Sequence, residues 1–554
     1  MSTWVILAFV IYMIFMLGIG IITARKNKSS DDYFLGGRNL GGWVTALSAQ
    51  ASDMSGWMLM GLPGCVYAFG ANQAWIAIGL LIGTILNWVI VAGRLRRYTI
   101  KAGNAMTIPE YLSNRFRDKH NILITISAIV IVIFFVVYSA SAFASGGKLF
   151  ASITKMDYHQ ALIVGAVVIL IYTFLGGFLA VCTTDFVQGM MMLVGVLAVP
   201  ILVVIVLGTG NIVPNLVNSG LNVDAKDYLN IFMQDGKPIS GISIASQLAW
   251  GLGYCGMPHI LVRFMAVRDE KELAKSKKVA IVWVLISLVL ACVIGVLGRA
   301  YLYPMVLSNE GAQYENVYIE MIKKLFMTDY ALPFIGGLLL CGILAAIMST
   351  ADSQLLVSSS AVANDLFKGV FFKKLKDKQI LFIARATVFV VAIIAIVIAW
   401  NPNSSIMNLV SDAWAGLGSA FGPAILMSLY WKRMNLAGAA AGMASGGLTV
   451  IIWDYIKCCT LDGVHVTPAT YTGVYSLLVG FIVSLVFIVV VSLATPKASD
   501  EIMQEFEDVK NGNIKKDGNG IIHVDHPNKE EQFADDDENA VADADNGDIM
   551  SYMM

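Results

Sequence analysis

The chain has 554 residues, of which 57% are hydrophobic and only 14% charged, with a mean hydropathy of +0.70. This excludes a soluble enzyme with a single anchor and implies an integral membrane protein of many helices. The formal net charge of -1 conceals a segregated distribution, with cations between apolar runs and acids at the C-terminal end.

The first apolar run, Thr3 to Ala24, is followed rather than preceded by its positive flank, Arg25, Lys26 and Lys28. A secretory signal carries its charge in front and ends at a small-residue cleavage site. This run is therefore read as a retained helix with its N-terminus outside. The next run, from Gly42 to Gly70, can span a hydrocarbon core of about 30 Å. Its centre nevertheless reads Ala51-Ser52-Asp53-Met54-Ser55-Gly56-Trp57. Hydrocarbon penalises a carboxylate and bare hydroxyls, so this stretch predicts a broken helix lining a polar cavity. Further apolar runs lie near 73–93, 123–147, 159–181, 186–208, 241–266, 279–303, 331–360, 380–400, 406–430, 436–457 and 471–494. With the first two they predict an all-α membrane protein of about thirteen spans.

Lys and Arg crowd alternate loops: Arg38; Arg94, Arg96, Arg97, Lys101, Arg115, Arg117; Arg268 to Lys278; Lys368 to Lys378; Lys432 and Arg433. That side is read as cytoplasmic, which puts the N-terminus outside and the C-terminus inside. Two long connections, Thr209 to Ser240 and Met305 to Tyr330, then lie outside, the second with an amphipathic helix around Val317 to Phe326. After Thr495 the composition turns acidic and polar, as in Asp535-Asp536-Asp537-Glu538, and predicts a disordered cytoplasmic tail. The chain thus divides into 1–41, a transport core at 42–430, two accessory helices at 431–495, and the tail at 496–554.

A second polar centre, Trp250-Gly251-Leu252-Gly253-Tyr254-Cys255-Gly256-Met257-Pro258-His259, predicts another interruption. It lies five spans after the first, so the two run in opposite directions. Paired interruptions in inverted halves point to a secondary-transporter site. A third centre, Ala345-Ala346-Ile347-Met348-Ser349-Thr350-Ala351-Asp352-Ser353-Gln354, is rich in oxygen. Such hydroxyls commonly bond the preceding turn, but carbonyls and hydroxyls with few carboxylates also suit a monovalent hard cation. The seven cysteines are an odd number and form no disulfide framework. The histidines have no metal-ligand spacing. No phosphate-binding loop, dinucleotide fingerprint, nucleophile elbow or nucleophile–base pair is found, which argues against an ATP-driven pump and against an enzyme.

These residues resemble the sodium:solute symporter family, most closely its proline-transporting branch. The resemblance runs from residue 1 to about 495. It rests on Asp32-Tyr33-Phe34-Leu35-Gly36-Gly37-Arg38, the Ala51 to Trp57 run, Ile171 to Val181, Trp250 to Pro258, Met348-Ser349-Thr350 with Ser353-Gln354-Leu355-Leu356, and Tyr430-Trp431-Lys432-Arg433 before Gly438-Ala439. It implies a leucine-transporter-like fold of two inverted five-helix repeats with broken helices. It also implies a sodium shell of Ala51, Met54 and Ala346 carbonyls with the Ser349 and Thr350 hydroxyls. Proline would meet Tyr138, Trp250, Tyr254 and Pro258, near Ser55 and Gly56. Asp53 and Arg38 match residues important for coupling. Some sialic-acid-transporting relatives resemble the arrangement of Asp185, Asp352 and Ser353, which would hold a second sodium with Ser349; a polar patch facing the cytoplasm is the alternative.

The physical reading is compatible with this. Free carbonyls near Ala51 would present a negative dipole end to sodium, and free amides near Ser55 would meet a carboxylate. The expected function is sodium-coupled import of L-proline across a bacterial plasma membrane by alternating access. Pantothenate, another amino acid or a small carboxylate are the alternative solutes. Expected partners are the solute, sodium and the lipid bilayer, with no nucleic acid and no obligate protein partner.

Overall fold

The computed structural model describes residues 3–24, 34–175, 177–372, 374–461 and 464–512. Arg25, Lys26, Lys28, Asp32, Tyr33, Gly176 and the tail from 513 onward, with Asp535 to Glu538, lie outside the described residues.

Each apolar run singled out above is helical in whole or in large part. Among the described residues, nine helices are long and apolar enough to cross a membrane, and Trp57–Phe69 and Tyr158–Ile171 are shorter apolar helices. The helix Ile406–Tyr430 is 25 residues long yet falls outside both groups, because its glycines and polar residues dilute its apolar character. Two small antiparallel hairpins, Met233–Gln234 with Lys237–Pro238 and Cys459–Leu461 with Val464–Val466, complete the described structure.

Two boundaries differ from the sequence expectation. The fifth and sixth helices are Tyr158–Leu175 and Phe178–Leu207, joined at Gly177, which is extended with φ -132° and ψ -173°. Asp185 therefore sits two turns inside the sixth helix rather than at its start. The segment after 496 also contains structure. Asp500–Asn511 is an amphipathic helix with Ile502, Phe506 and Val509 buried. Glu505 pairs with Arg117 at 2.6 Å and Asp508 with Lys101 at 3.4 Å. The polar average of the tail hides this one helical apolar stripe. The amphipathic helix expected near Val317 is present as Val317–Lys323.

Both predicted interruptions are present. Gly42–Asp53 ends at Met54, whose φ and ψ of -86° and 76° leave the helical region, and the chain resumes at Trp57–Gly61 and Leu62–Phe69. Gly241–Leu248 tightens into a 3₁₀ stretch over Ala249–Gly256, Met257 is extended, and Pro258–Ala266 begins anew. Proline suits that first helical position because the amide it lacks would be unbonded there anyway.

Close backbone contact holds the second interruption. A Cβ on Gly83 would stand 2.2 Å from the Gly251 carbonyl oxygen, and one on Gly251 2.1 Å from that of Gly79. Only glycine lets Ala74–Leu86 approach Ala249–Gly256 this closely. At the basic end of the bundle the two broken helices are tied together: Leu40 N donates to Ala266 O at 3.1 Å, and Arg268 N to Leu40 O at 3.0 Å. At the other end, Glu315 accepts from Ile406 N and Met407 N, each at 3.0 Å, and pairs with Lys148 at 2.7 Å. A buried carboxylate there complements the positive end of the Ile406–Tyr430 helix.

Candidate transport site

The first break faces the helix Pro333–Ser360. The Ser349 hydroxyl donates to Ala51 O at 2.7 Å and to Ala346 O at 3.1 Å, and Thr350 Oγ1 donates to Ala51 O at 3.4 Å. Ala51, Ala346, Ser349 and Thr350 are all fully buried. The Ala51 carbonyl is at the open end of its helix, where intrahelical donors run out, and the hydroxyls of the facing helix take their place. Met54 occupies the break itself, its amide bonded to Gln50 O at 2.8 Å. A dehydrated monovalent cation can be held by such a group of carbonyls and hydroxyls, which carries no formal charge.

Asp53 turns away from this cluster toward the second break. Its Oδ2 accepts from the Tyr254 hydroxyl at 2.6 Å, and its Oδ1 has no hydrogen-bond partner. Its own carbonyl accepts from Trp57 Nε1 at 2.9 Å, which fixes the indole across the break. Ser55 Oγ accepts from Trp57 N at 3.4 Å. Gly56 is enclosed, since a Cβ there would stand 2.4 Å from Ser145 Oγ.

Aromatic side chains surround the second break. Trp250 lies parallel to Tyr475, with centroids 5.1 Å apart and planes at 22°. Its carbonyl accepts from Trp414 Nε1 at 2.8 Å, and Trp414 meets Tyr254 edge-on at 5.2 Å. Tyr138 is fully buried, and its ring meets that of His259, beside Pro258, at 6.1 Å. Rings with polar tips of this kind can enclose an apolar solute and leave groups for its charged ends. Trp250 and Tyr475 also line an open cleft of about 370 Å³, together with Gln247, Ser411, Asp454 and Ser476.

Asp185 and Ser353 do come together, around a third residue that the motifs above did not single out. Arg263 Nη2 donates to Asp185 Oδ2 at 3.2 Å, to Ser353 Oγ at 2.6 Å and to Ser52 Oγ at 2.8 Å, and its Nε donates to Ser48 Oγ at 3.1 Å. Asp185 Oδ2 also accepts from Ser48 at 2.7 Å and Ser52 at 3.0 Å. Arg263 and Asp185 are both fully buried. A guanidinium thus stands beside Asp185 and Ser353, where the sequence pattern suggested a second sodium. Ser349 instead faces Ala51, and Asp352 keeps one oxygen unpartnered while the other lies 3.4 Å from Ser353 Oγ. Sequence reading passed over Arg263 because its helical register could equally have pointed it toward the basic end.

Arg38 lies at that basic end, away from the breaks. It donates to Met265 O at 2.7 Å, Ala105 O at 2.6 Å, Thr99 Oγ1 at 3.3 Å and Asn104 Oδ1 at 2.8 Å. Its bonds therefore reach the end of the second broken helix and not the cluster around Ala51. Trp414, Tyr475 and Ser145 also went unnoticed: Trp414 and Ser145 lie inside the helices Ile406–Tyr430 and Ile122–Thr154, Tyr475 immediately precedes Ser476–Ala494, and no local pattern marks any of them as part of a site.

Comparison with known proteins identifies the family. The model of the sodium:solute symporter family matches residues 33–446. The osmoregulated proline transporter OpuE of Bacillus subtilis (strain 168) is 44% identical over 499 residues, covering 90% of this chain and 96% of the relative. A sodium/proline symporter of Staphylococcus aureus is 44% identical over 501 residues, covering 90% and 93%. A solved structure of a Na+-coupled sialic acid symporter, in a substrate-bound outward-open state described as revealing a novel Na+ site, shares the fold with a TM-score of 0.71 at 17% identity, covering 90% of this chain and 99% of that one. The chain is a multi-pass membrane transporter with an inverted-repeat fold, and it belongs to the sodium:solute symporter family.

Proposed function

We propose that this protein imports L-proline with sodium across a bacterial plasma membrane by alternating access. The observation that carries the reading is the convergence of Ala51 O, Ala346 O, Ser349 and Thr350 between the first break and the facing helix. Sodium held there, with Met54 completing the shell, links two elements that must separate when the site opens. Sodium can bias that equilibrium only by binding one state better than the other. A membrane potential adds about 2.3 kcal/mol per charge per 100 mV.

Proline is assigned to the space bounded by Tyr138, Trp250, Tyr254 and Pro258, next to Ser55 and Gly56. The relatives named for proline transport support that solute. Asp53 couples ion to solute through Tyr254, and Arg38 holds the inner end of the second broken helix. One sodium per proline is favoured, because Arg263 already supplies a positive charge beside Asp185 and Ser353. We also assign thirteen spans, with the basic loops cytoplasmic, the N-terminus outside and the C-terminus inside. The chain acts as a carrier rather than as an enzyme. The test is uptake of radiolabelled proline into proteoliposomes with and without an inward sodium gradient. Uptake indifferent to that gradient rejects the coupling, and gradient-driven uptake of another solute in place of proline reassigns the substrate.

A further inference from the structure

A second cavity, of about 30 Å³, lies between the second broken helix and the loops at the basic end. Pro258, Val262 and Arg263 border it on one side, Thr107, Ser360 and Asp365 on the other. Its volume suffices for about two waters or one small ion with part of its hydration.

Asp365 is 1% exposed and Ser360 6% exposed. Asp365 Oδ1 accepts from Thr107 Oγ1 at 2.9 Å and from Asn364 Nδ2 at 3.3 Å, both neutral donors. Among the described residues, its Oδ2 and the Ser360 hydroxyl are buried without a hydrogen-bond partner. Among the described residues no cationic side chain forms an ion pair with Asp365. An unpaired buried carboxylate is costly, and such groups mark ion paths within membranes.

The helix itself leads to this point. Along Pro333–Ser360, residues 349, 353, 356/357 and 360 recur every three or four positions and so share one face. Beyond Ser360 the chain widens to a π-helix over Ala361–Phe371. A π turn bonds residues five apart, so Asp365 falls in line with Ser360. Ser349 of the proposed ion shell, Ser353, Ser360 and Asp365 therefore lie along one face running toward the basic end, with Leu356 and Val357 between Ser353 and Ser360.

We infer that Asp365 and Ser360, with Thr107 holding the carboxylate, form a release station for a monovalent cation that has left the Ala51–Ser349–Thr350 shell. One carboxylate lining the cavity, with Glu110 at the Thr107 cap beside it, and hydroxyl oxygens suit sodium better than a divalent ion, which favours several carboxylate ligands. Arg263 lines the same cavity with its guanidinium already paired to Asp185, so the carboxylate that the cavity offers a cation is that of Asp365. This inference rests on the reading of the chain as a sodium-coupled carrier.

The test uses full-length protein in right-side-out membrane vesicles, with sodium varied on one face at a time and proline uptake as the readout. Luminal sodium inhibits uptake by holding the inward-facing form. In Asp365→Asn the luminal sodium giving half-inhibition should rise about tenfold, one order of magnitude in affinity. The external sodium giving half-maximal uptake should move less than about twofold, since the outer shell is intact. Ser360→Ala should shift luminal half-inhibition the same way by about threefold, a lost neutral ligand, and carries the test if Asp365→Asn is not produced. Unmoved luminal dependence, or equal shifts on both faces, overturns the station; a carboxyl that only carries a proton gives the first of these results. Wild-type vesicles without sodium-driven uptake would reject the carrier reading instead.

Discussion

The Tyr254 hydroxyl donates to Asp53 Oδ2 at 2.6 Å, so one hydrogen bond joins the two helix breaks. Asp53 belongs to the break that faces the ion shell and Tyr254 to the break that faces the aromatic pocket. In the proposed carrier, solute and ion influence each other through that bond without sharing a ligand.

Tyr254→Phe should therefore change more than the solute pocket. It leaves both Asp53 oxygens without a side-chain donor, and a hydrogen bond to a charged group is worth about 1.5–3 kcal/mol. Uptake should fall about tenfold or more, with a higher sodium requirement. Asp53→Asn keeps an acceptor for Tyr254 but loses the charge, and should weaken sodium-driven uptake at least as strongly. Uptake measured against external sodium decides this; a Tyr254→Phe protein with a wild-type sodium requirement would remove the bond from the coupling route.

Ser349 and Thr350 should differ in their effect. Ser349 bonds Ala51 O at 2.7 Å, while Thr350 stands at 3.4 Å. Ser349→Ala should raise the half-saturating sodium concentration by about tenfold and Thr350→Ala by about threefold, the range of one charge-assisted contact against a weaker one. Equilibrium binding of radioactive sodium to purified protein checks the order, and the reverse order would place the ion nearer Thr350.

Trp250→Ala should weaken apparent proline affinity by well over tenfold. Each buried methylene contributes about 0.8 kcal/mol, and 1.4 kcal/mol is a factor of ten. Sodium binding without solute should scarcely change, since the indole stacks on Tyr475 and not on the ion shell. Competition binding with labelled proline reads the first effect. Normal proline affinity in this variant would move the solute elsewhere.

Arg263 and Asp185 should behave as a pair. Arg263→Gln leaves Asp185 buried beside two serines with no compensating charge, a loss of about 3–5 kcal/mol for a broken buried pair. Uptake and thermal stability should both drop sharply. The double variant Arg263→Gln/Asp185→Asn removes both charges and should recover part of the stability. Flux measurements should give one sodium per proline in the wild type; a ratio of two would mean that Arg263 does not stand in for a second ion.

Much of the site was legible in the sequence because the membrane makes polar residues conspicuous. Ala51 to Trp57, Trp250 to His259 and Ala345 to Gln354 each interrupt an apolar run, and each is where the structure places a break or an oxygen cluster. The length rule likewise located the helices, since a span needs a fixed number of apolar residues. The Phe178 boundary was obscured, because an apolar stretch on both sides of Gly177 looks continuous along the chain.

What the sequence determined by itself was therefore the class, the two interruptions, their opposed directions and the identity of the oxygen-bearing residues. Tertiary structure alone decided which of these meet. Asp53 finds Tyr254 201 positions away, Asp185 finds Arg263 78 positions away, and Ser349 finds Ala51 298 positions away. Spacing along one helix specifies a face and leaves open the neighbour to which that face turns. The neighbour is chosen by close backbone contacts such as Gly83 against Gly251, and by the need of every buried donor and acceptor to find a partner where water is absent.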